Sequence, residues 1–121
     1  MNGYTEQQMT EALEVVTSTI INCEKQQPKF SEGTSQHTLL KNRIRALYIS
    51  KALIQGESTV DNYTKEELSA ALPPVISIIK KCEKGQGKFS QGTPHYNRFE
   101  KIIRAMYIAK EMISDEINRR D

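Results

Sequence analysis

The chain has 121 residues, 37% of them hydrophobic and 26% charged, with a net charge of +2. That suits one soluble domain and lacks the basic excess of a protein that grips duplex nucleic acid along its backbone. No run approaches the roughly eighteen apolar residues of a membrane span, and Met1–Glu6 has no basic, apolar leader, so a cytoplasmic protein without membrane contact is expected.

The chain repeats itself. Tyr4–Glu57 aligns with Tyr63–Glu116 at a constant offset of 59 and without a gap, and 24 of the 54 pairs are identical. A long period in only two copies marks a duplicated supersecondary unit rather than a solenoid. Each half alone, at roughly 55 residues, would be marginal as an independent fold. Residues 1–121 therefore read as one domain of two repeats, 4–57 and 63–116, joined by a linker at 58–62.

The first helix of each repeat opens on a capping box, Thr5-x-x-Gln8 and Thr64-x-x-Glu67. Met9, Leu13, Val16, Ile20 and Cys23 then recur at helical spacing, as do Leu68, Leu72, Val75, Ile79 and Cys82. Each helix should reach about Glu24-Lys25 or Glu83-Lys84. Pro73-Pro74 predicts a kink or short break near Ala71–Pro74, where the first copy has Glu14-Val15. Loops follow at Gln26–Thr34 and Gly85–Thr93, with Pro28, Gly85 and Gly87 as helix breakers.

Thr34 and Thr93 read as N-caps of a second helix, and Pro94 fits the first helical position. That helix carries Leu40, Ile44, Leu47 and Ile54, or Phe99, Ile103, Met106, Ile113 and Ile117. It should end near Gln55-Gly56 in the first half and run towards Arg119 in the second. The fold expected is all-α: tandem helical hairpins in a four-helix bundle with an approximate internal two-fold axis.

Two constellations are candidates for ligand binding. The loop Lys-Phe-Ser-x-Gly-Thr recurs at Lys29–Thr34 and Lys88–Thr93. A lysine before a helix N-terminus suits an anion, with free N–H groups and the positive helix end behind it. The plainer alternative is a capped loop in which Phe30 and Phe89 plug the bundle. No Gly-Lys-[Ser/Thr] triplet follows, which excludes a Walker loop. On the second helix, Arg45, Tyr48 and Lys51 recur as Arg104, Tyr107 and Lys110 on one side. Arginine beside a tyrosine ring can hold a phosphate while the ring stacks on a base; the alternative is a solvated edge with the tyrosines half-buried across the bundle.

His37 and His95 lie in the first turn of the second helix at non-equivalent positions and suit surface or ligand contact. With Ser31 and Ser90 they lack a fixed acid, so no triad is assembled. Cys23 and Cys82 have no zinc-ligand spacing with the histidines, and buried free thiols are expected. No metal, cofactor or catalytic set is implied.

Gly33-Thr-Ser-Gln-His-Thr-Leu-Leu-Lys-Asn-Arg-Ile44 resembles the start of the second helix in the small helical-hairpin domain of phage anti-CBASS and anti-Thoeris sponge proteins. His37, Thr38, Leu39, Asn42, Arg43 and Ile44 fit the character of that pattern; Asn97-Arg-Phe-Glu-Lys-Ile-Ile in the second copy departs from it. The resemblance implies non-enzymatic sequestration of a cyclic nucleotide immune signal between hairpins, usually within an oligomer. From the recurrence of the cationic, hydroxyl-bearing loop, and not from the resemblance, Lys29, Lys88, Thr34, Thr93, Arg45 and Arg104 would hold phosphate while Tyr48, Tyr107, Phe30 or Phe89 packs a base. The alternative function is a helical module that binds or inhibits a protein.

Overall fold

A computed structural model of the chain describes residues 3–120. Its helices are α1 Glu6–Gln26, α2 Ser35–Gln55, α3 Lys65–Gln86 and α4 Pro94–Arg119, and no strand occurs among the described residues. The architecture is an all-α four-helix bundle. α1 and α3 begin 59 residues apart, as do α2 and α4.

The helix starts follow from side chains that replace missing backbone partners. Thr5 accepts from the Gln8 N–H at 3.0 Å while Gln8 accepts from the Thr5 N–H at 2.8 Å. Thr64 and Glu67 repeat the exchange at 3.0 and 2.9 Å. Each box satisfies two otherwise orphaned donors. α2 stops because Gly56 turns left-handed, with φ of +69°, so that Gly56 and Glu57 donate to Leu53 and Ala52 at 3.1 and 3.0 Å. Glycine reaches that conformation without a Cβ clash.

Val16, Leu47, Val75 and Met106, one from each helix, meet in a single core cluster with no exposed surface. Each such side chain contributes about 1.5–3 kcal/mol of burial. α2 and α4 pack on each other as well as on α1 and α3, whereas no Cα of α1 lies within 8 Å of one in α3. The central pair therefore buries more of its circumference. Ala46, Leu47, Ile49, Ser50, Ala52 and Leu53 are all buried on α2, so Ile49 joins the core beyond the single apolar stripe visible in the sequence. Ser50 is accommodated because its hydroxyl donates to the Ala46 carbonyl at 2.8 Å.

Two expectations need correcting. The short break, one of the two outcomes expected at Pro73-Pro74, does not occur, and α3 continues through both prolines. The carbonyls that lose their donors belong to Ser69 and Ala70, both exposed, so water can replace the missing bonds. Gly85 does not stop α3 but lies inside it, and Gly87 caps it.

Between α2 and α3, Ser58–Asn62 forms a short 3-10 turn with Val60 buried. Arg120 fastens this turn to α4 by donating to the carbonyls of Val60, at 2.7 Å, and Tyr63. Buried Glu116 holds Arg120 in turn, accepting from its Nε at 2.9 Å.

Candidate functional site

The two hairpin loops have nearly the same bonding. After α1, Pro28 sits in a one-turn 3-10 helix, Gln27–Lys29, and Phe30 N–H donates to Gln27 at 3.1 Å. Phe89 N–H donates to Gln86 at 3.0 Å in the second copy. Gly33 and Gly92 have φ of +90° and +88°, which brings each following threonine N–H to a serine carbonyl, Ser31 or Ser90, at 3.2 Å. The Thr34 and Thr93 hydroxyls also donate to those carbonyls, at 2.7 and 2.8 Å, and accept from His37 and Tyr96 N–H at 3.3 and 3.4 Å. Both threonines are thus occupied as caps.

Phe30 and Phe89 do not plug the bundle. They are 39% and 40% exposed. Phe89 stacks on His95 with centroids 4.8 Å apart and approaches Phe99 at 6.2 Å. Phe30 has no such neighbours, since Gln36 and Leu40 occupy the equivalent places. Lys29 and Lys88 are exposed and form no ion pair among the described residues. His37 is half-buried under the Thr34 cap, whereas His95 is exposed.

Tyr48 and Tyr107 are likewise more exposed than a half-buried ring, at 41% and 42%. Each hydroxyl points to a carboxylate near the end of the preceding helix: Tyr48 donates to Glu24 at 2.9 Å and Tyr107 to Glu83 at 3.5 Å. The hydrogen bond to Glu24 raises the Tyr48 pKa. Lys110 lies 5.7 Å from the Tyr107 ring centroid. Arg45 and Arg104 are exposed. They lie eleven residues beyond their N-caps, about 16 Å along the helix, so the loop lysines and these arginines do not converge on one site within a hairpin.

The arginines instead border grooves between hairpins. One, of about 220 Å³, runs between α1 and α4 and includes Tyr4, Ala12, Arg104, Ala105, Tyr107 and Ile108. Another, of about 200 Å³, runs between α2 and α3 and includes Arg45, Ala46, Ala70 and Ala71. The floor positions correspond: Ala12 and Ala105 become Ala71 and Ala46 at the repeat offset of 59. Small residues there leave the depression between neighbouring helices unfilled. The identity of these alanines in both copies was a sequence signal for the grooves, but it did not say which helices would meet. At one end of the α1/α4 groove the Tyr4 hydroxyl donates to Glu111, and burial followed by that bond raises the Tyr4 pKa to about 12.

Cys23 and Cys82 are buried free thiols. A larger open depression borders the 3-10 turn and contains Glu57, Asp61, Asp115 and Glu116. Among the described residues, no group of three or more His, Cys, Asp or Glu side chains is placed to hold a metal ion. Nor is any helix there long and apolar enough to cross a membrane. No protein-family model, curated protein or solved structure matches the chain.

Proposed function

We propose that the chain binds a phosphate-bearing small molecule without turning it over, and that a cyclic nucleotide immune signal is the ligand best suited to it. The observation that carries this reading is the repeated arginine, Arg45 and Arg104, standing over an alanine floor at the edge of an inter-hairpin groove. Neither guanidinium has an ion-pair or hydrogen-bond partner among the described residues. An arginine free to make bidentate bonds is suited to phosphate, and an apolar floor beside a tyrosine is suited to a base. The resemblance to phage sponge proteins implies the same class, a non-enzymatic pocket for a phosphate-bearing small molecule between hairpins. The grooves are smaller than the roughly 300 Å³ at which enclosed ligand pockets begin, so a second copy of the chain would complete the enclosure.

Calorimetry against a panel of cyclic and linear nucleotides tests this. At least one cyclic member should bind at micromolar protein, return chemically intact on chromatography, and lose tenfold or more in affinity with Arg104→Ala. Silence across the panel would refute it.

A second reading, a helical module that docks on a protein, draws on the exposed rings of Phe30 and Phe89. Under it, a specific protein is recovered by the wild type and lost with Phe30→Ser and Phe89→Ser, while nucleotides give no heat.

A further inference from the structure

The two grooves share a floor and an arginine, but the residues around them have diverged in charge. Around the α1/α4 groove, Arg104 is joined by Lys101, with Glu11 in the lining and Glu111 held by Tyr4 at one end. Around the α2/α3 groove, Asn42 replaces Lys101, while Glu66 and Glu67 stand where the first copy has Gln7 and Gln8. One groove therefore presents two cations against two carboxylates, and the other presents one cation against two.

The aromatic groups diverge as well. Tyr4 and Tyr107 border the α1/α4 groove, whereas their counterparts Tyr63 and Tyr48 do not border the other. Tyr63 packs against the main core, and its carbonyl receives Arg120. Tyr48 is drawn to Glu24 at 2.9 Å, a closer bond than the 3.5 Å between Tyr107 and Glu83. The α2/α3 groove thus lacks both a second cation for a phosphate and a ring for a base.

We infer that duplication has left one anion site, not two: the α1/α4 groove takes one phosphate-bearing molecule per chain, and the α2/α3 groove rejects it. This rests on the binding function proposed above and adds the number of sites and the residues that select between them. Exchanging a cation for an amide beside a phosphate weakens its binding by about tenfold, since a tenfold step needs only a modest charge interaction at a protein surface.

Inorganic pyrophosphate, followed by backbone amide NMR shifts, tests the inference without presuming a nucleotide. In the wild type, saturable shifts are expected at Gln8, Ala105 and Tyr107 and not at Ala46 or Ala71. The graft Asn42→Lys, Glu66→Gln, Glu67→Gln should add a second saturable set at Ala46 and Ala71. Glutamine at 67 preserves the capping box, as Gln8 does in the first repeat, so the graft should fold. Equal shifts at both wild-type grooves, or a folded graft without a second set, would overturn the inference while leaving the binding function standing. Saturable shifts confined to the Lys29 and Lys88 loops would overturn the inference and move the binding function to the loops, and no shifts anywhere would overturn both.

Discussion

The edge of the Phe99 ring occupies the space into which a side chain at Gly85 would project, since a Cβ there would come within 2.7 Å of Phe99 Cζ. At the equivalent positions the first repeat has Gln26 and the smaller Leu40. Replacing Gly85 by alanine should gain up to about 1 kcal/mol of helix propensity and lose about 1–3 kcal/mol to overpacking, a net destabilisation. In a Phe99→Leu background the same change should be neutral or stabilising. Urea denaturation of the four-protein cycle measures this, and an equal effect in both backgrounds would disprove the contact.

Gly33 and Gly92 present the opposite case. Nothing lies within 4 Å of a Cβ at either position, but both have left-handed backbones. Gly33→Ala and Gly92→Ala should each cost about 1–2 kcal/mol from conformation alone. Loss of the adjoining cap in Thr34→Ala should cost about 1 kcal/mol. Unchanged melting curves for the glycine variants would contradict the turn geometry.

Glu116 makes stability depend on acid. Its bond with Arg119, followed by that with Arg120, holds its pKa below the ordinary 4.5 despite burial. The carboxylate's stabilisation is therefore complete above that ordinary value and is lost as pH falls through the lower, folded value. Glu116→Gln should cost about 1–3 kcal/mol at neutral pH, because it removes the charged acceptor of two arginines. The gap between wild type and variant should close in denaturation curves taken at successively lower pH below 4.5. A gap independent of pH would show that Glu116 acts by shape.

Cys23 and Cys82 should remain reduced and slow to react. Burial raises both thiol pKa values, and Arg43 and Lys81 only partly counter it. With no Cα of α1 within 8 Å of one in α3, the pair lies beyond the roughly 7 Å limit for an unstrained disulfide. An aromatic disulfide reagent should label both thiols promptly in urea and slowly in buffer, faster as pH rises. Prompt labelling of the folded protein would contradict their burial.

The reach of the sequence ends where interactions cease to be local. Thr5, Thr64, Thr34 and Thr93 could be read as caps because each acts on a backbone group three residues away. Phe30 and Phe89 could not be placed from their apolarity, since the loop path sets their exposure. No break forms at the Pro73-Pro74 pair for a related reason: the cost of missing N–H groups depends on whether the orphaned carbonyls face water, and at Ser69 and Ala70 they can.

By itself, then, the chain determined its four helices, their starts and the register of one repeat on the other, because periodicity and capping are written within a few residues. Only the tertiary structure decided that α1 would lie beside α4 and α2 beside α3. That choice brings Arg104 to Ala12, and Arg45 to Ala71 among acidic neighbours. It depends on how α2 and α4 pack across the centre of the bundle, a balance of contacts between residues far apart in the chain.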